Sequence, residues 1–177
     1  MALRALTVDD LGLILPWRNA THVRLNMFTQ HVISQDEHLA WFHRIAVDDA
    51  ARWLIFDENG RPSGVVYFTG IRHDSANAFW GFYAMPDPPP GIGRRIEREA
   101  LDYAFQVLKL HKLNCEVLSV NQLVINQHKR FGFTQEGLFR DYVYTADRFQ
   151  DVVRFGMLAE EWERKKGELH QAPWHGV

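Results

Sequence analysis

A single cysteine, Cys115, in 177 residues rules out an intramolecular disulfide and any cysteine-based metal cluster, and it suits a reducing compartment. No charge of one sign prevails: 20 Lys and Arg face 22 Asp and Glu, a net charge of −2, which excludes a broad basic surface for nucleic-acid phosphates or an anionic membrane. Long apolar runs are missing too, and none approaches the roughly 18 residues that a membrane span needs. The segment Met1 to Arg4, followed by Asp9 and Asp10, lacks a signal-peptide pattern, so a cytoplasmic protein with neither a nucleic-acid nor a membrane partner is expected. His22, His31, His43, His73 and His111 form no i, i+4 pair with a carboxylate partner, so no metal is expected. What is present is 46% hydrophobic and 13% aromatic residues, enough to bury one core in a chain too short for two. Residues 1–162 are expected to form that domain, and 163–177, with His170, Trp174 and His175, a polar and disorder-prone tail.

Thr7 and Asp10 open an apolar-periodic stretch that predicts a helix to about Asn19, bent near Pro16, and Ser34-Gln35-Asp36-Glu37 is a capping box that predicts a second helix over 35–47. Arg52 to Phe56 and Ser63 to Phe68 read as strands joined through the hairpin signal Asn59-Gly60, with Asn77 to Met85 the third strand of the meander. Ile92, Ile96, Ala100, Ala104 and Leu108 recur every four residues and predict a long helix over 91–110. A strand over 113–120, a short helix over 121–130, strand-like sequence from Gly132 through Tyr144, and a last strand over 152–158 complete the order. This is a mixed α/β chain, a sheet with helices on both faces. Strand 77–85, helix 91–110 and strand 113–120 should form a right-handed crossover with parallel strands.

Between that strand and that helix stand Pro88-Pro89-Pro90 and then Gly91-Ile92-Gly93-Arg94. Glycines let backbone approach a ligand, and unpaired amides at a helix start attract phosphate without a basic patch. Arg94 can add a charge. The turn is not a Walker loop, which needs Gly-Lys-Ser/Thr, and it lacks the third glycine of a dinucleotide fingerprint, whose place falls at or near Glu97. Two readings stand: a glycine-rich helix start after a proline turn, or a site for another pyrophosphate ligand.

Some thirty residues on comes Asn121 to Phe133, closing in Phe131-Gly132-Phe133. Together the two segments resemble the GNAT acetyltransferase superfamily. Its acetyl-coenzyme A site follows a strand, a pyrophosphate turn, a long helix, a parallel strand and an asparagine-led helix ending in Gly-Phe. The match is good over 75–137, and 136–162 resembles the closing segment of the ribosomal-protein-acetyltransferase-like branch. The usual Arg or Gln that starts the turn motif is Pro88 here, and Pro90 removes one donor. The resemblance implies a central mixed, mostly antiparallel sheet with a splayed parallel strand pair at the acetyl-CoA site. It also implies that Tyr83, Ala84 and Asn121 hold the pantetheine, that Gly91, Ile92, Gly93 and Arg94 serve the diphosphate, and that Met85 and Lys129 belong to the same cofactor site. A neutral amine then attacks the thioester in a ternary complex, and an acid assists the thiolate. His128 stands where many members place tyrosine; it is either that acid, with a pH-sensitive rate, or a surface histidine beside Lys129 and Arg130. Tyr83 is either catalytic or core. Strand 77–85 holds no carboxylate or histidine, so proton removal is expected through water.

The N-terminal region, Trp17-Arg18-Asn19, Arg24, Met27, then Glu37-His38-Leu39-Ala40-Trp41-Phe42, resembles the acetyltransferases of pseudaminic acid biosynthesis. These transfer acetyl to the 4-amino group of a UDP-linked 4,6-dideoxy amino sugar. By that likeness Arg18, Met27, His38, Thr69 and Tyr83 contact the acceptor, although each alone is as well explained as a solvated or packing residue. The competing functions are acetylation of a protein N-terminus and a non-catalytic coenzyme A or nucleotide-sugar binding module. An aromatic-rich sheet edge offers a face for a homodimer.

Overall fold

In the computed structural model, which describes residues 2–171, Asn59 and Gly60 take positive φ (51° and 77°) and turn strand β2 (Arg52–Glu58) back onto β3 (Arg61–Arg72). β4 (Asn77–Ala84) continues the antiparallel meander, and the short β1 (Leu3–Ala5), not expected from sequence, pairs with the outer edge of β2. Helix α1 (Leu11–Asn19) carries Pro16 inside it, a single-turn α2 (Thr21–Arg24) follows, and α3 (Gln35–Ile45) starts at the capping box, with Ser34 Oγ accepting from the Glu37 amide and Glu37 accepting from the Ser34 amide.

Beyond β4 the chain crosses over through α4 (Ile92–Asp102) to β5 (Lys112–Leu118), then α5 (Gln122–Phe131), β6 (Thr134–Thr145) and β7 (Arg148–Leu158). The sheet order is β1-β2-β3-β4-β5-β7-β6, and β4–β5 is its one parallel pair. Helix 91–110 is regular only to Asp102; over Tyr103–Val107 it widens by one residue per turn, with the Leu108 amide bonded to Tyr103 O.

Period-two alternation decides which face each strand residue serves. Val66, Phe68, Leu54 and Phe56 join Ile96, Ala100 and Leu101 of α4 in the larger core, while Val65, Ile55 and Tyr83 join Ile14, Trp17 and Val23 beneath α1 and α2. The expected polar tail is corrected in part. Residues 159–171 form α6, because Trp162 is fully buried, stacks 6.2 Å from Phe131 and donates through Nε1 to Asp102 (2.9 Å), which also takes Lys166 (2.6 Å). Trp174, His175 and the side chain of His170 lie outside the described residues. Among the described residues no helix is long and apolar enough to cross a membrane.

Gly81 is a packing requirement. A Cβ there would stand 2.3 Å from Tyr67 Oη, and Tyr67 is held against Trp53 at 4.5 Å between ring centroids. Gly81→Ala is expected to lower stability by about 1–3 kcal/mol, as overpacked cores do. A thermal melt that stays within a degree of the wild type would refute this.

Candidate functional site

The parallel pair β4–β5 is short, and its brevity creates the site. Register holds at Asn77↔Lys112, Ala78↔Leu113 and Phe79↔Asn114, after which the strands part. Asn114 marks the fork, its buried side-chain amide donating to Ala78 O (3.0 Å). Past the fork β4 over 80–84 and β5 over 115–117 face a cleft of about 590 Å³, bounded also by the α4 turn and by α5.

The turn is shaped by residues with distinct jobs. Gly91 sits at φ 78°, which a side chain would strain. Gly93 instead allows close approach: a Cβ there would meet Gln127 Oε1 at 3.1 Å, and the Gln127 amide donates to Gly93 O (3.0 Å). The prolines are clamped, with Arg95 Nη1 donating to Pro90 O (3.0 Å) while its guanidinium pairs with Glu58 on β2. The Ile92 and Arg94 amides donate to Pro89 O and Gly91 O (3.1 Å each), so two of the amides expected to serve a diphosphate are engaged within the turn. The Met85 amide is likewise committed, to Ser63 O at 3.0 Å. Asn121 caps α5 by accepting from the Val124 amide (3.3 Å) while it lines the cleft.

His128 is no surface histidine. It is 2% exposed, ringed by Trp80, Phe133 and Phe155, and its Nδ1 lies 2.7 Å from Oε1 of Glu97, which is wholly buried on α4. Oε2 of Glu97 takes the Gln127 amide at 2.6 Å. Burial alone pulls the imidazole down, but the Glu97 carboxylate, and next the Cys115 thiol, push it up to about 10. The paired carboxylate thus favours the imidazolium form of the ring at neutral pH. Cys115 is a buried thiol, 3% exposed, at the cleft wall.

A second cavity of about 400 Å³ lies on the α1–α3 side of the sheet. It shares Met27, Phe28, Tyr67 and Tyr83 with the first, so the two meet over the two tyrosines. Burial pushes both phenols up, so both stay protonated. The outer walls are aromatic and cationic: Trp41 stands edge-on to Trp53 at 4.7 Å, and Arg18, Arg44, His31 and His38 converge around them. Arg18 donates Nη2 to Thr29 O (2.9 Å), fixing the loop after α2, while its buried Nη1 and the buried Trp53 Nε1 have no partner among the described residues. Burial pulls the Arg18 guanidinium down, opposed by Tyr83 and Tyr67, and it remains charged. His38, 5% exposed and stacked on Trp41 at 4.9 Å, is pulled down by burial and by Arg18, so it is neutral at pH 7. The one carboxylate in the wall, Glu37, is engaged by His31 (3.0 Å) and the Ser34 amide.

Of the residues expected at the acceptor, Arg18, Met27, His38 and Tyr83 line this cavity. Thr69 shares the sheet face of Val65 and Tyr67 but lies beyond the lining, and Lys129 points out from α5, exposed and away from both cavities. Tyr83, Ala84, Met85, Gly91, Ile92, Gly93, Arg94, Asn121 and His128 line the larger cleft. Sequence reasoning passed over Glu97, Gln127, Tyr67, Trp53 and Arg44. Glu97 left a signal, since it stands four residues before Leu101 and seven before Ala104, within the apolar stripe of α4. Among the described residues no group of His, Cys, Asp and Glu is arranged to hold a metal ion.

The chain matches the acetyltransferase (GNAT) domain over residues 1–134. It is 28% identical to Acetyltransferase PseH of Campylobacter jejuni over 141 residues, 80% of this chain and 87% of that protein. It is 27% identical to the spermidine N(1)-acetyltransferase of Vibrio cholerae over 164 residues, 92% of this chain and 95% of that protein. A crystal structure of the Vibrio cholerae spermidine N-acetyltransferase in complex with CoA and spermine superposes with a TM-score of 0.85 at 27% identity, covering 91% of this chain and 96% of that one.

Proposed function

This chain belongs to the GNAT acetyltransferase family and is an acetyl-CoA-dependent N-acetyltransferase, and we propose that its acceptor is the 4-amino group of a UDP-linked amino-deoxy sugar, as in pseudaminic acid precursor synthesis. The observation that carries this reading is the charge of the smaller cavity. Two arginines, Arg18 and Arg44, face one carboxylate, Glu37, which is already engaged. A polyamine is a polycation, and at about 4 Å with an effective dielectric of about 20 each like-charge contact opposes binding by about 4 kcal/mol. A sugar nucleotide brings the opposite sign, a planar base for Trp41 and Trp53, and acceptors for the unpartnered donors Arg18 Nη1 and Trp53 Nε1.

The larger cleft fits the coenzyme through the open edge of β4, the glycine turn and the α4 start. Acetyl-CoA supplies a thioester that an amine can attack and a sulfur that departs as thiolate. Around it the protein places groups of opposed protonation: neutral His38 in the acceptor cavity can take the proton of the incoming amine, directly or through water, and charged His128 can give one toward the sulfur. Tyr83 and Tyr67 wall the meeting point and, being protonated, can donate to a developing oxyanion.

The test is thiol release from acetyl-CoA with a UDP-4-amino sugar, with spermidine, with an N-terminal peptide, or with none of these. The sugar is expected to give kcat/KM at least about 100-fold above spermidine, about 2.7 kcal/mol and so less than one full like-charge contact. Faster turnover with spermidine or the peptide would overturn the acceptor assignment, and coenzyme binding without turnover on any acceptor would favour a binding module. The homodimer anticipated from sequence would draw on the β6–β7 hairpin, where Phe139, Tyr142, Tyr144 and Phe149 are exposed on an edge. Light scattering reads this as a mass of one chain or two.

A further inference from the structure

Glu97 is an expensive residue to keep where it is. A carboxylate with no solvent exposure, on the stripe of α4 that otherwise carries Ile96, Ala100 and Leu101, costs stability unless both oxygens are paired. Both are paired, and with functional neighbours. Oε1 takes His128 Nδ1 (2.7 Å), and Oε2 takes the Gln127 amide (2.6 Å), which also donates to Gly93 O at 3.0 Å. A purely packing role at this position would be served by an apolar side chain of similar volume.

We propose that Glu97 is a positioning residue for acetyl transfer: its hydrogen bond to Nδ1 fixes the His128 ring as a proton donor whose other nitrogen serves the coenzyme cleft. The same carboxylate, through Gln127, ties that donor to the turn that receives the diphosphate, so the two ends of the coenzyme site share one buried network. The proposal rests on the reading of the larger cleft as the coenzyme site and of His128 as the acid.

The groups around His128 allow this assignment to be made by elimination. From α4 comes Glu97 and from β5 the Cys115 thiol; β4, β7 and the turn before β6 contribute only the rings of Trp80, Phe155 and Phe133. Glu116, also on β5, is paired with Arg154 at 2.8 Å. Lys129 and Arg130 on the same helix are exposed. Glu97 is thus the one carboxylate in contact with the ring. With Nδ1–H donating to Oε1, the ring plane is set, and proton delivery falls to Nε2, the nitrogen left for the Cys115 thiol that also hydrogen-bonds the ring at the cleft wall.

Two measurements test it, one of which needs no acceptor. In the wild-type chain, nitrogen-15 NMR of histidine is expected to show His128 doubly protonated through pH 8, with its Nδ1 proton shifted downfield; a ring that titrates near 6.5 overturns the proposal. In Glu97→Gln, kcat with acetyl-CoA and the UDP-4-amino sugar is expected to fall about 10- to 100-fold. The KM for acetyl-CoA should change less than about threefold, and the descending limb of the pH profile should move from near 10 toward neutral. Glu97→Asp should keep the alkaline limb. A structural role alone would lower activity evenly at every pH and leave the limb in place, which would also overturn the proposal. If the sugar is not the acceptor, the kinetic arm is silent in wild type and variant alike, while the NMR arm still decides.

Discussion

Replacing His128 with alanine is expected to lower kcat by about 100-fold or more, the usual range for a lost proton donor, while the dissociation constant of acetyl-CoA changes less than about threefold. The asymmetry follows from place. The bond that ties this network to the glycine turn, from Gln127 to Gly93 O, does not pass through the His128 ring and remains when the ring is removed. The same substitution leaves Glu97 buried without its cation, which is expected to cost about 3–5 kcal/mol of stability, partly offset because Gln127 keeps its bond to the carboxylate. Kinetics and titration calorimetry at a temperature well below the melt separate the two effects. Full turnover in a folded His128→Ala enzyme would assign proton delivery elsewhere.

The pH behaviour has a definite sign. With His128 raised to about 10, the proposed acid stays protonated through neutral pH, and its loss is expected only as pH rises toward that value. The stability it confers by pairing with Glu97 is complete below the unfolded value of about 6.5 and disappears as pH rises through the folded one. His38 is shifted the other way, so if it takes the amine proton as proposed, its limb lies on the acid side of the ordinary histidine value. The two limbs are therefore pushed apart, and kcat/KM should be flat between them.

Much of the scaffold was legible because it depends on local rules. Asn59-Gly60 needs positive φ and can do little but turn a hairpin; Ser34 and Glu37 close a capping box whatever lies beyond; the four-residue apolar spacing of α4 demands a sheet to cover it. The shape of the turn before α4 was legible for the same reason, since Gly91 takes positive φ and Gly93 allows a close approach at the helix start. What stayed hidden depends on contacts distant in sequence. Glu97 reads as one more helix glutamate until α5 brings His128 and Gln127 to it from 31 and 30 residues away. The closing helix reads as a polar tail because its anchors are single residues, Trp162 and Lys166, that reach Asp102 some 60 residues away. Thr69 and Lys129 erred in the opposite direction: their types suited the chemistry, but strand length and helix phase place them away from both cavities. The strands' fork at Asn114 also left no mark in either strand's own pattern, because it is a property of the pair.

Arg18→Ala is expected to lower kcat/KM for the UDP-amino sugar by about 10- to 150-fold with the KM for acetyl-CoA unchanged. That range corresponds to the roughly 1.5–3 kcal/mol of a hydrogen bond to a charged group. Arg18 is singled out because it joins three observations: a buried donor without a partner, a fixed orientation through Thr29 O, and proximity to the tyrosines where the cavities meet. Loss of the Thr29 contact alone would loosen the loop after α2 and could mimic a binding defect. Arg18→Lys distinguishes these: lysine keeps the charge but not the fork, so if diphosphate recognition is bidentate it should recover only part of the loss. Arg18→Glu carries the argument to its end. Reversing the charge should weaken the sugar nucleotide further than alanine does and improve, if anything, a polycationic acceptor such as spermidine. Should all three variants treat the sugar as the wild type does, the cationic wall plays no part in acceptor choice, and the charge argument for a sugar nucleotide fails with it.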